Sequence, residues 1–161
     1  MKESILSGKR ILVIDDEPDI HAVIEEEILA TCPDCKVDKA PAYKEAVEKM
    51  ISWTYDLVIL DITCVRGFDL LELANYRNFP VVMLTAHPLT SRVLQSSFKM
   101  NARAYLPKER LGEVVPLVEN IITDGYQHVR NYLFKKMRDF STKKFKSNCH
   151  KTPIFELPRV N

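Results

Sequence analysis

The chain has 161 residues, of which 46% are hydrophobic and 28% charged, the balance of one ordinary folded domain with room for a short appendage. No apolar run reaches the ~18 residues that cross a bilayer, and MKESILSGKR lacks both the apolar core and the small-residue cleavage site of a secretory signal, so no membrane insertion and a cytoplasmic location are expected. The net charge of +1 conceals a division: residues 128–151 hold eight Lys or Arg against Asp139, a net +7, while residues 1–127 carry a net −6.

In chain order, the first element is ILVI at 11–14, a short apolar run rich in β-branched residues that ends on the acids Asp15, Asp16, Glu17 and Asp19. Such runs read as strands buried on both faces, the habit of a parallel sheet covered by helices. Ile20, Val23, Ile24 and Ile28 then follow helical spacing, with Pro18 suited to a first turn and the acids around it suited to a positive helix N-terminus. KVDKA at 36–40 is a weak segment that fits an edge strand. Tyr43, Ala46, Val47, Met50 and Ile51 predict a second helix, LVIL at 57–60 a central strand, and positions 68–77 a third helix. VVML at 81–84 predicts a strand, 89–100 a helix, and AYL at 104–106 a last strand. Through VVPLVENII the pattern is helical again, with Pro116 requiring the regular helix to begin near Val115 or to kink there. Asp124-Gly125 offers a stop. Strand and helix alternating five times imply an α/β doubly wound fold.

Beyond the stop, Tyr126, Val129, Leu133, Met137 and Phe140 form an apolar stripe at helical spacing, followed by an irregular basic stretch. Residues 1–124 therefore read as one domain and 125–161 as a basic C-terminal helical extension and tail. The four cysteines are scattered, as expected for reduced thiols. Cys32 and Cys35 form a CPDC, but it follows a helical pattern, whereas a redox pair belongs at a strand-to-helix junction. A zinc site there would need distant ligands such as Cys149 and His150.

Ligands of a parallel α/β sheet bind beyond the carboxyl ends of its strands. Asp15 and Asp16 leave the first strand, Asp61 the third, Thr85 the fourth and Lys108 the fifth, so these side chains converge on one rim. Three carboxylates make a hard oxygen site suited to Mg²⁺, an ion that keeps several waters and accepts phosphate oxygens as ligands.

The ordered set of DD at 15–16, Asp61, Thr85-Ala86 and AYLPK at 104–108 resembles the receiver domain of the two-component response regulators, the family of the chemotaxis regulator, over about residues 9–122. The resemblance implies a flavodoxin-like five-stranded parallel sheet of order 2-1-3-4-5 with helices on both faces. It implies Asp61 as phosphoacceptor, Mg²⁺ held by Asp15, Asp16, Asp61 and the backbone carbonyl of Thr63, and Thr85 and Lys108 as contacts of the phosphoryl group. Tyr105, three residues before Lys108, matches the aromatic partner of Thr85 in the family's switch. The implied protein is a signalling switch that assists its own modification, not a conventional enzyme. Its implied partners are a sensor histidine kinase or phosphotransfer protein upstream and a protein target downstream. Each feature alone has an ordinary reading: an acid pair caps helices, a threonine ends strands, a tyrosine packs. Their shared order and spacing do not.

Departures from the family pattern stand beside the matches. Cys64-Val65 occupy positions where many members have Met-Pro, and only 24 residues separate Asp61 from Thr85, which predicts a short third helix. Pro107 precedes Lys108 where the family usually places a proline after the lysine. Asn101 stands where glycine is common, and asparagine tolerates the left-handed turn implied there. Thr63 and His87, two residues past Asp61 and Thr85, are placed to shade a phosphoryl group from water.

Other chemistries fit less well. A flavin phosphate needs a Ser/Thr/Gly-rich loop after the first strand, and the acids there repel it. A haloacid-dehalogenase-type phosphatase has a second acid two residues after its nucleophile, and Thr63 stands in that place. The alternative function is a nucleic-acid-binding regulator acting through the basic tail. The tail holds no helix-turn-helix or zinc-finger pattern, so protein partners are expected instead, with a homodimer through the 104–140 region as one candidate.

Overall fold

The computed structural model describes residues 4–64, 66–86 and 91–124. Strands β1 (Arg10–Ile14), β2 (Lys36–Ala40), β3 (Leu57–Asp61), β4 (Val81–Thr85) and β5 (Ala104–Pro107) alternate with helices α1 (Pro18–Thr31), α2 (Tyr43–Ser52), α3 (Gly67–Tyr76), α4 (Ser91–Lys99) and α5 (Val114–Asp124). All pairings are parallel and the strand order is β2-β1-β3-β4-β5. The expected architecture is therefore present, with KVDKA as the edge strand.

Strand periodicity divides the core into two layers. Ile11, Val13, Leu57, Ile59, Val82, Leu84, Ala104 and Leu106 face α1 and α5, where they meet Ile24, Ile28, Val114 and Val118. Leu12, Ile14, Val58, Leu60, Val81 and Met83 face the other way, onto Met50, Leu70, Leu71 and Ala74 of α2 and α3. Leu6, ahead of β1, is fully buried in the first layer, where removing such a side chain from water stabilises by roughly 1.5–3 kcal/mol. β3 and β4 are buried along their whole length. Their ends therefore rise from the middle of the molecule rather than from an edge.

The polar opening pole of the sheet is tied together separately. Arg10 Nε donates to Asp38 Oδ2 at 2.7 Å, Tyr55 Oη donates to the same oxygen at 2.8 Å, and the guanidinium lies 4.1 Å from the Trp53 ring centroid. This contact pins the weak edge strand β2 to β1. Cys32 and Cys35 are buried beside Leu6, and burial first, then neighbouring charge, pushes the Cys35 thiol up to about 11. Protonated core thiols of this kind are poor nucleophiles.

Pro116 sits in the first turn of α5, and the chain enters that helix through a 3₁₀ stretch, Lys108–Glu113. That resolves the conflict between the proline and the helical pattern, because an early proline forfeits no hydrogen bond that the helix needs. The third helix has ten residues, the same as α2. Asn101 has φ 63°, the left-handed turn that its position implied. Residues 125–161, with the apolar stripe, the basic tail and Cys149, lie outside the described residues.

The loop from β3 to α3 is tight. Cys64 N donates to Asp61 O at 3.3 Å and Gly67 N to Cys64 O at 3.1 Å, while Arg66 adopts φ 61°. A Cβ on Gly67 would stand 2.7 Å from the carbonyl oxygen of Ile62, whereas one on Gly112 would meet nothing within 4 Å. Gly67→Ala is expected to destabilise by roughly 1–3 kcal/mol and Gly112→Ala to be neutral or slightly stabilising, as read by equilibrium denaturant unfolding.

Candidate functional site

Parallel strands bring their carboxyl ends to one rim, and the side chains leaving them meet there. Asp15 follows β1, Asp61 closes β3, Thr85 closes β4 and Lys108 follows β5. Asp15, Asp61 and Thr85 are 1%, 2% and 1% exposed, so three polar groups are withdrawn from water at the end of an apolar sheet. Such burial needs internal partners. Lys108 serves the two aspartates: its Nζ donates to Asp61 Oδ2 at 2.8 Å and to Glu17 Oε1 at 2.7 Å. It also lies 2.8 Å from Asp15 Oδ2.

That last contact is an ion pair without a well-directed hydrogen bond, because Asp15 Oδ2 is buried and has no hydrogen-bond partner. The other carboxylate oxygen of Asp15 accepts from the Glu17 backbone N–H at 2.9 Å. Burial raises the Asp15 carboxyl above its usual range, with Lys108 acting against the shift. For Lys108, burial works to lower the ammonium's pKa, but its three carboxylate partners outweigh burial and hold it above the ordinary lysine value. The lysine is thus a fixed positive charge.

Asp61 is held from two sides. Its Oδ2 faces Lys108, and its Oδ1 accepts both the backbone N–H and the hydroxyl of Thr63, each at 2.7 Å. A carboxylate so fixed cannot rotate freely, which sets the direction of its remaining lone pairs. Beside it, Cys64 is half-buried, and burial followed by the charges of Asp61, Asp15 and Asp16 pushes its thiol up to about 11. Cys64 lines a pocket of about 180 Å³ with Asp15, Asp16, Pro41 and Tyr43.

Of the residues expected at the site, Asp15, Asp61 and Lys108 are in direct contact, Thr63 bonds to Asp61, and Asp16 joins the same acidic group. Thr85 ends the strand paired with β3 and β5. Tyr105 is 7% exposed and packs in the second core layer with Met83 and Ala102. His87 lies outside the described residues. Glu17 was not among the expected residues, although it binds Lys108. Its signal was the third acid of DDE, set directly before Pro18, where an acid reads most simply as part of a helix start.

A receiver-domain family model, described as the response regulator receiver domain, matches residues 11–119. The chain belongs to the response regulator receiver family. Curated relatives include the sensory transduction protein LytR of Staphylococcus epidermidis, 28% identical over 94% of this chain and 62% of that protein. LytR of Staphylococcus haemolyticus is 29% identical over 72% of this chain and 47% of that protein. This chain therefore spans only about half to three-fifths of the length of those relatives. Among solved structures, the receiver domain of the Francisella response regulator 1452 is 25% identical over 71% of this chain and 95% of that one, with a TM-score of 0.61. A two-component response regulator from Clostridium difficile has the same fold, at 23% identity over 71% and 94% of the two chains, with a TM-score of 0.63.

Receiver domains bind Mg²⁺ at an acidic cluster, and the residues here fit that ion. One carboxylate oxygen from each of Asp15, Asp16, Glu17 and Asp61 lies within 4.8 Å of the others. All are hard donors, and the buried Asp15 Oδ2 has no hydrogen bond. The Lys108 ammonium lies against three of these four carboxylates, so lysine and a divalent ion compete for them. No helix among the described residues is long and apolar enough to cross a membrane.

Replacing Lys108 by Met leaves Asp15 and Asp61 buried without their cation, a change that costs about 3 kcal/mol or more. Lys108→Met is expected to lose that stability in chelator and then to gain more from added Mg²⁺ than wild type does. Denaturant unfolding with and without Mg²⁺ checks it, and equal gains would show that the two cations do not compete.

Proposed function

We propose that Asp61 accepts a phosphoryl group from a sensor histidine kinase or phosphotransfer protein. The observation that carries this reading is the Lys108 ammonium held at 2.8 Å from Asp61 Oδ2 at the common end of the strands. An Asp61 oxygen attacks the donor phosphorus in line; the oxygen–phosphorus bond forms as the phosphorus–nitrogen bond of the donor breaks, and the imidazole leaves. Thr63 fixes the other carboxylate oxygen through two hydrogen bonds, so the attacking oxygen is aimed before the donor arrives. Lys108 turns from Asp61 to an oxygen of the transferred group and offsets its charge.

Asp15, Asp16, Asp61 and the Thr63 backbone carbonyl are the residues to hold Mg²⁺. Bound there, the ion draws negative charge off the transferring phosphoryl oxygens. Thr85 is the hydroxyl placed to follow the new acceptor oxygens inward, with Tyr105 as its aromatic partner. The Tyr105 ring already stands inward in this structure, the arrangement that the switch reading assigns to the signalling form. The output is contact with a downstream protein through the surface of α4, β5 and α5. In this reading residues 1–124 are the cytoplasmic receiver, and the basic residues 125–161 extend it, with dimerisation through the 104–140 region as one use.

With Mg²⁺ and acetyl phosphate, wild type should gain one base-labile phosphoryl group by intact mass, and Asp61→Asn none. Equal labelling of the two proteins would refute the assignment of Asp61. The +7 of residues 128–151 favours a second reading, binding of nucleic-acid phosphates. A salt series with arbitrary duplex DNA should show little binding near physiological ionic strength. Tight binding there would promote the nucleic-acid reading.

A further inference from the structure

The four carboxylates at the strand ends differ in what they face. Asp15 and Asp61 are buried, whereas Asp16 and Glu17 are exposed, and the Glu17 side chain, 58% exposed, reaches Lys108 from the solvent side. Glu17 is the residue before Pro18 at the start of α1, where an acid commonly accepts from the helix's free N–H groups, yet its side chain makes no such bond. Its backbone N–H is fixed on Asp15 Oδ1, so the side chain leaves from a set point and closes over the lysine. With Asp16, which is also exposed, Glu17 thus stands where an incoming phosphoryl donor meets the site.

Charge makes this placement consequential. Four carboxylates against the Lys108 ammonium leave three negative charges in the cluster, and a bound divalent ion leaves one. Asp15, Asp16 and Asp61 have roles as proposed ligands or acceptor; Glu17 is assigned neither role and holds Lys108 from the open side. The residual negative charge therefore corresponds to a group that the transfer itself does not require. A phosphoryl donor carrying two negative charges is repelled by it about twice as strongly as one carrying a single charge.

We propose that Glu17 is a specificity-determining residue, selecting phosphoryl donors whose nitrogen leaving group carries a proton, and hence a net single negative charge, over dianionic acyl phosphates. This rests on the reading of Asp61 as the acceptor. With the favoured donors the Asp61 oxygen–phosphorus bond forms, the phosphorus–nitrogen bond breaks, and the leaving group departs neutral, as imidazole protonated on its other nitrogen or as ammonia from phosphoramidate. With an acyl phosphate the leaving group is a carboxylate, and no proton lowers the charge of the donor. Glu17→Gln removes the charge while Asp15 and Asp61 keep Lys108 in place from the buried side, each at 2.8 Å.

The probes are acetyl phosphate, a dianion, and phosphoramidate, a net monoanion. Second-order rate constants for labelling are measured by intact mass at saturating Mg²⁺, established for each protein by titration. In E17Q the ratio of the acetyl phosphate rate to the phosphoramidate rate should rise roughly threefold over wild type, and added salt should shrink that difference. E17D, which keeps the charge, should keep the wild-type ratio. At equilibrium and mildly alkaline pH, inorganic phosphate should bind E17Q more tightly than wild type in a nuclear magnetic resonance titration. An unchanged ratio in E17Q, or equal changes for both donors, would overturn the proposal and leave Glu17 as a positioning residue for Lys108. Wild type that takes no label from either donor would overturn the acceptor reading of Asp61 instead.

Discussion

The contact between the Lys108 ammonium and the carboxylates of Asp15, Glu17 and Asp61 is the interaction on which the rest of the rim depends. Two of those carboxylates emerge from adjacent buried strands of an apolar sheet, where unpaired charge is expensive and like charges a few ångströms apart repel strongly. Without a cation the strand ends would be driven to protonate or to splay apart. With one, the same carboxylates become a rigid set of oxygens. Burial raises the Asp15 carboxyl despite the lysine beside it, and the four carboxylates outnumber the Lys108 ammonium, so the site remains short of positive charge.

That shortage ties stability to function. A receiver must hold a divalent ion and a phosphoryl group in turn, and each needs the oxygens or the ammonium to exchange partners. The lysine is anchored by residues from two strand ends and the start of α1, so it can lose one carboxylate without leaving the site. Thr63 fixes one oxygen of Asp61 through two short hydrogen bonds and so determines the orientation of the other. Behind it lies the tight loop to α3, with Arg66 in a left-handed conformation and Gly67 against the Ile62 carbonyl.

Much of this was legible in the residues because the relevant signals were local and redundant. ILVI, LVIL and VVML are short, β-branched and bounded by polar residues, and each ends on a residue of the rim, so one pattern places both the strand and the functional side chain. Pro116 and Asn101 were readable for the same reason, since each restricts its own backbone. KVDKA was weak as a strand because its stability is not its own: Asp38 is held by Arg10 and Tyr55, which are 28 and 17 residues away. Such a contact leaves no periodic trace. Glu17 was hidden differently. An acid before Pro18 satisfies the ordinary rules for starting a helix, and only the distance to Lys108, 91 residues on, shows that its side chain serves the rim instead.

The same distinction separates the two cysteine positions. Cys32 and Cys35 make a motif in sequence, but both are buried beside Leu6 and the second thiol is held protonated, so proximity along the chain produces packing and no chemistry. Cys64 makes no motif, yet it stands where three carboxylates act on it and lines the pocket beside Asp16. It stands in place of the family's common methionine, and burial, followed by the surrounding negative charge, keeps the thiol protonated. The rim can therefore carry a cysteine beside Asp61 without a thiolate forming there, because burial first, and the charge that suits the site to a cation second, suppress it.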